Sequence, residues 1–311
     1  MLGVGDYFDF PPPAGMSQAE AGLEGVAILH WLAGHAPDQA PILMGNHDAA
    51  RVMELYRMGD AAFGEARHLA AVLDDDAFAQ RFPDIPTRGI ARRDFSGFCE
   101  AQRRCVQSLL LSGRMKLAQA VRLLDGRHCL VTHAGVTAYV LAGLGIPDER
   151  DPQRIAQALN GVLAARVAAV ADDWKAGVAR ALDLSPIHHA GVTGEEGGGL
   201  LYHRLATTQD GWSSGGPGPR RFAPDAIPRG LLQAVGHTQH RKMAELLPDH
   251  AGRADVAPGQ LRCVVFGEDD FEYRPGREAG DADTVMWFFD GGLHFAPPES
   301  IELMPFAQWL P

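Results

Sequence analysis

Apolar residues follow two rhythms along the chain. Over residues 19–33 they recur at helical spacing (Leu23, Val26, Ala27, Leu29, Leu32), which predicts a helix. Pro41-Ile-Leu-Met44 is instead a short unbroken run that stops at Gly45-Asn46-His47-Asp48, the form of a buried strand ending in a turn. From residue 49 to about 125 the pattern reads as helical, with segments around 51–58, 63–72, 95–111 and 116–124 and a break at 82–87 where Pro83 and Pro86 fall. Cys129-Leu-Val-Thr132 is the next strand and runs into His133-Ala134-Gly135. Residues 155–182 are rich in Ala, Val and Leu and read as one long helix or two abutting ones. Leu231-Leu-Gln-Ala-Val235 leads into Gly236-His237, and further strands are expected at 261–266 and 284–289, around an acidic stretch 268–283 read as a solvated loop. The Gly-rich stretches 194–199 and 209–221 are expected to be loops. Alternating strands and helices predict an α/β (α+β) class. The expected organisation is a single domain over residues 1–311 carrying a helical cap insertion at 49–125.

Composition narrows the classes. At 311 residues the chain can bury a full core, and 46% hydrophobic with 22% charged residues is ordinary for a globular protein. A formal net charge of -11 disfavours nucleic acid and anionic membranes as partners, although a bound cation would reverse the field locally for a phosphorylated substrate. Cys99, Cys105, Cys129 and Cys263 lack CxxC spacing and sit in or beside apolar stretches, so reduced core thiols and a cytoplasmic location are expected. No apolar run reaches membrane-span length, and no signal peptide is evident. Nothing here sets the oligomeric state.

One construction recurs four times: an apolar run, then Gly or Thr, then a side chain able to bind metal. The cases are VGD at Asp6, MGNHD at Asn46 and His47, VTHAG at His133 and VGHTQH at His237. Taken singly, an Asn-His pair is a turn and a His after a strand is a satisfied polar residue. In an open α/β sheet, however, ligands gather beyond the carboxyl ends of strands, so four adjacent ends would bring these groups together. Carboxylate, amide and imidazole donors suit manganese, iron or zinc.

GDYFD, GNHD, THAG and GHT, in that order, resemble the motifs of the calcineurin-like metallophosphoesterases, specifically the branch of phosphoprotein phosphatases and diadenosine-tetraphosphatase-like enzymes. The resemblance implies a four-layer sandwich of two mixed β-sheets flanked by helices, with a centre of two divalent cations. It implies hydrolysis of a phosphate ester or phosphoanhydride by metal-activated water, on a phosphorylated small molecule, a nucleotide or a phosphoprotein. By the same resemblance, Asp6 bridges the metals and Asn46, His133 and His237 complete the second site. His47 is the histidine that protonates or stabilises the leaving oxygen, paired with Asp9. The segment Gly199-Leu-Leu-Tyr202-His203-Arg204 matches a Trp-x-Arg segment that sets an arginine near the phosphate, with Tyr in place of Trp, and Asp290-Gly-Gly matches a structural Asp-x-Gly.

Two departures qualify the match. The family's Asp-x-His motif, which supplies two ligands of the first metal, precedes GDxxD on an earlier strand, whereas Asp6 is the sixth residue here, and His294 follows Asp290 at the wrong spacing. The expectation is a native chain that starts further upstream. The chain as given is then expected to hold one metal better than two and to turn over slowly or not at all; the alternative is an impaired or non-catalytic phospho-ligand-binding protein that retains one metal site. Phe10-Pro11 stands where the phosphatase pattern has Arg-Gly, which leans away from phosphoprotein. Outside the motifs, His240 is expected to face solvent, His188-His189 to lie in a loop, and Arg88, Arg92, Arg93, Arg103 and Arg104 to be solvated or paired.

Overall fold

The computed structural model describes the chain apart from residues 1, 9–14, 96, 208–218, 253, 269, 293–295 and 311. Asp9, Phe10, Pro11 and His294 therefore lie outside the described residues. The chain divides into two compact units, one of residues 1–116, 162–184 and 189–197, the other of residues 117–161, 185–188 and 198–311.

The first unit is mostly helical. It contains α1 (Gln18–Ala33), β1 (Ile42–Leu43), α2 (Asn46–Ala50), α3 (Asp60–Leu69), α4 (Asp75–Arg81), a π-helical turn (Ile90–Asp94), α5 (Glu100–Leu111) and β2 (Met115–Lys116). A reciprocal cap starts α1: the Ser17 hydroxyl accepts from the Glu20 amide, and the Glu20 carboxylate from the Ser17 amide. The helix buries Ala21, Gly22, Gly25, Leu29 and Leu32 and leaves Leu23 exposed. The small residues are required by close approach. A Cβ at Gly25 would collide with the Tyr7 carbonyl, and one at Gly22 would fall 2.6 Å from the Gly97 carbonyl. Thus Gly25 lets α1 press on the turn that follows Asp6. An apolar core runs from Ala50 through Leu55, Phe63, Phe78 and Ile85 to Phe95 and Phe98.

Three expectations for this stretch fail. Residues 51–58 are successive turns rather than a helix. The helix expected at 95–111 begins only at Glu100, with Cys99 as its cap. The segment 116–124 is strand, namely the end of β2 and then β3 (Ala118–Leu123). Its run Lys-Leu-Ala-Gln-Ala-Val-Arg-Leu fits either period over so short a span, and pairing with neighbouring strands decides it. The arginines behave as expected where their contacts are given: Arg88 pairs with Asp75, and Arg103 with Glu100 and the Leu55 and Met58 carbonyls.

The second unit is built on a mixed sheet of β3, β4 (His128–Thr132), β9 (Leu232–Val235), β10 (Arg262–Phe266), β11 (Phe271–Pro275), β12 (Val285–Phe288) and β13 (Phe306–Leu310). Its order is β11-β10-β12-β9-β4-β3-β13. The three central strands, β12, β9 and β4, are mutually parallel, and the outer pairings are antiparallel. Buried on both faces, the central strands are the continuous apolar runs that stand out in the sequence. One side of the sheet packs Val235, Val264, Met286 and Phe288 against Leu205, Phe222, Met243 and Leu247. Further elements are α6 (Ala138–Gly143), β6 (Gly198–Gly199), β7 (Arg204–Leu205), β8 (Arg221–Phe222) and α8 (His240–Leu246), while α7 (Pro152–Lys175) and β5 (His188–His189) are shared by the two units.

The protein is therefore mixed α/β with one seven-stranded mixed sheet, and the described residues contain no second large sheet. The acidic stretch 268–283 is not simply a loop, because β11 lies within it and pairs along β10. His188-His189 is a short strand. His240 opens α8 half-buried, its Nδ1 lying 2.8 Å from the phenol oxygen of Tyr273 on β11. The helix α7, at 24 residues, is long and apolar enough by length and composition to cross a membrane, contrary to the sequence expectation. Its buried residues Ile155, Leu159, Leu163, Val167, Val170 and Trp174 recur every three or four positions, the stripe of a core helix. All four cysteines are free, and Cys105, Cys129 and Cys263 are buried.

Candidate metal centre

In the first unit, Gly3 bridges Ile42 in parallel, and β1 pairs in parallel with β2. Asp6 and Asn46 thus follow the carboxyl ends of neighbouring extended segments. Asp6 is reached through Gly5 at φ 97° and itself adopts φ 61°. Its Oδ1 accepts a hydrogen bond from the His47 amide at 3.0 Å. Asn46, at 4% exposure, is the first residue of α2, capped by Gly45. The His47 ring meets the Phe95 ring edge-on, centroids 4.8 Å apart.

The buried Asp48 ties these turns together. Its carboxylate accepts from the Asp6 amide at 2.8 Å, the Gly45 amide at 2.8 Å and the Tyr7 amide at 3.2 Å. Burial, reinforced by the Asp48 charge, pushes the Tyr7 phenol well above its ordinary pKa. Behind α2, the fully buried Arg51 donates to the His47 carbonyl at 2.7 Å and to Gln102 Oε1 at 3.0 Å, between the Phe8 and Phe95 rings. Gln102 in turn donates to the Gly22 and Gly97 carbonyls, both at 2.9 Å.

In the second unit, His133 and His237 leave the carboxyl ends of adjacent parallel strands, where Thr132 is in register with Val235. The Gly236 amide donates to the His133 carbonyl at 2.9 Å. Across the loops, His133 Nε2 lies 3.2 Å from His237 Nδ1. His237 has φ 61°; it and Asp6 are the non-glycine residues with positive φ among those described. Gln233 on β9 pins the first loop by a reciprocal pair with Val136, its Oε1 accepting at 2.7 Å and its Nε2 donating at 3.0 Å. The buried His203 adds a 3.3 Å contact from Nδ1 to the Gly135 carbonyl. Desolvation holds the His203 pKa down to about 4, so its ring stays neutral at pH 7.

Arg204, on β7, places Nη2 3.5 Å from the His237 carbonyl. Tyr202, in the position where Trp is expected, packs edge-on to the His237 ring at 6.2 Å, and the Arg220 guanidinium lies 5.4 Å from the Tyr202 ring centre. Asp290 follows β12 and accepts through its backbone from Arg262.

Within the second unit His133 and His237 bring two ring nitrogens to 3.2 Å, and within the first Asp6 and Asn46 stand on neighbouring turns. Paired imidazoles are ligands for a divalent first-row cation, and so are a carboxylate and an amide oxygen. Sequence reasoning passes over Asp48, Gln233 and Arg262. Asp48 is visible inside GNHD as an acid three residues past the helix cap, and Gln233 as a lone polar residue inside an apolar strand. Arg262 carries no such signal, because a cation at the start of a strand is ordinary.

Comparison with family models, with curated proteins and with solved structures finds no match.

Proposed function

We propose that this protein is a metal-dependent phosphoesterase acting on a phosphate ester or phosphoanhydride of a small molecule, nucleotide or phosphoprotein. The observation that carries the reading is the approach of His133 and His237, at the ends of adjacent parallel strands, to 3.2 Å between ring nitrogens. The donor set fits the cation. Two imidazole nitrogens at 3.2 Å offer ligands suited to manganese, iron or zinc. On this reading Asp6, Asn46, His133 and His237 hold the ion. A bound divalent cation lowers the pKa of water and neutralises charge developing on phosphoryl oxygens.

The chain's own groups have defined parts in this reading. The His47 amide orients the Asp6 carboxylate through Oδ1. The His47 ring, backed by Phe95, gives a proton to the leaving oxygen, with Asp9 as its partner. The Arg204 guanidinium, near the His237 carbonyl, takes the phosphate. The family fold, a sandwich of two mixed sheets, is part of the proposal, and the seven-stranded mixed sheet supports it as one of the two.

The test is manganese titration followed by p-nitrophenyl phosphate turnover, for the native chain and His47→Asn. Manganese-dependent turnover that falls about 100-fold or more in the variant supports the assignment. Equal turnover removes His47 from the chemistry. Manganese binding without turnover supports a phospho-ligand-binding protein, and no binding under saturating supply overturns the proposal.

A further inference from the structure

His237 needs an external restraint. Its left-handed backbone is one an L-residue keeps only when its surroundings impose it. The Thr238 amide closes a tight turn onto the Gly236 carbonyl at 2.6 Å, so the loop folds back on itself around the imidazole. Arg204 reaches the His237 carbonyl from β7 at 3.5 Å, and Arg262 on β10 reaches the same turn by a shorter contact. Arg262 is fully buried, and its Nη2 donates to the Thr238 carbonyl at 3.1 Å and the Asp290 carbonyl at 2.7 Å.

A fully buried guanidinium is costly unless its charge is answered. Here the answer is two carbonyl dipoles and the Asp290 carboxylate acting through space, while Nε has no hydrogen-bond partner among the described residues. A strand residue serving only to fill space would be apolar, like Cys263 and Val264 beside it. The guanidinium instead joins the residue after His237 to the residue that closes β12, locking the loop to two strands of the sheet.

We propose that Arg262 is the positioning residue for His237: its guanidinium clamps the Thr238 and Asp290 carbonyls and so sets the direction in which the His237 imidazole projects. The inference rests on the metal reading for its consequence, but the clamp itself exists without a cation. Arg262 touches no substrate; it acts through the backbone of its neighbours. Both bonds leave Nη2, whose two hydrogens the guanidinium holds in one plane; lysine keeps the charge and loses that plane.

The experiment uses the full chain with Arg262→Lys, and Arg262→Gln as a second variant should the first not fold by circular dichroism. Histidine-ring NMR signals of the metal-free protein are recorded first, then manganese affinity. The expected result is a displaced His237 signal with the His30 signal unchanged, and manganese binding weakened about 10-fold or more. An unchanged His237 signal in a folded variant overturns the clamp, whatever the metal does. A displaced signal with no manganese binding by the native chain upholds the clamp and refutes the metal reading instead. A displaced signal with unaltered manganese affinity overturns the positioning role.

Discussion

The Asp48 carboxylate holds the Asp6 amide at 2.8 Å across 42 residues of sequence, and with its other contacts joins the turn carrying Asp6 to the one carrying Asn46 and His47. A fully buried carboxylate that accepts from three backbone amides has charge-assisted hydrogen bonds to answer its burial. Removing it strands those amides. Asp48→Ala is expected to lose about 3 kcal/mol or more in urea unfolding, and to bind manganese more weakly because Asp6 loses its anchor. Asp48→Asn, which keeps an acceptor, should lose less; identical stability for all three proteins would show that the carboxylate does not hold the turns.

His133→Gln and His237→Gln should each weaken manganese binding about 10-fold or more, measured by calorimetry. Because His133 Nε2 and His237 Nδ1 lie 3.2 Å apart, the two effects should not add. Unaltered affinity in both variants would remove the pair from the metal site.

The burial of His203 predicts a pH dependence. Its folded pKa is depressed to about 4 from 6.5, so the unfolded chain binds the extra proton between those values and stability falls as pH drops through that window. The loss is up to about 3 kcal/mol by pH 4. His203→Gln, which does not titrate, should show a shallower decline in urea unfolding between pH 7 and pH 4. Equal slopes would place the ring in contact with solvent.

Glu54 works in the opposite direction. Burial raises its carboxyl to about 7 although the Gly191 amide donates to it at 2.9 Å. The fold then binds more protons than the unfolded chain between 4.5 and 7, and stability is lost as pH rises through that range. Glu54→Gln keeps an acceptor for Gly191 without the buried charge. It should match the native chain at pH 4 and exceed it by up to about 3 kcal/mol at pH 8; a variant no more stable at pH 8 would refute this.

What the sequence makes legible follows from how each feature is encoded. The parallel strands β4 and β9 are unbroken apolar runs because both faces are buried, so their ends, and His133 and His237 with them, can be located without coordinates. Asp6 is legible for a related reason, following Gly5 at the end of an extended segment. The failures are local and physical. β3 reads as helix because Ala118–Leu123 supports either period, and only pairing with β4 and β13 selects one. β11 is hidden because an exposed edge strand keeps its charges, as Glu272 and Arg274 do. The supporting contacts from Asp48, Gln233 and Arg262 are fixed by approach in space, which no spacing along the chain records.

The left-handed backbone at Asp6 and His237 sets evolution and function at odds. Glycine would occupy either place more comfortably, by roughly 1 kcal/mol. A laboratory selection for heat resistance alone should therefore enrich glycine at both, and the survivors would be sturdier chains stripped of two of the four side chains proposed to grip an ion.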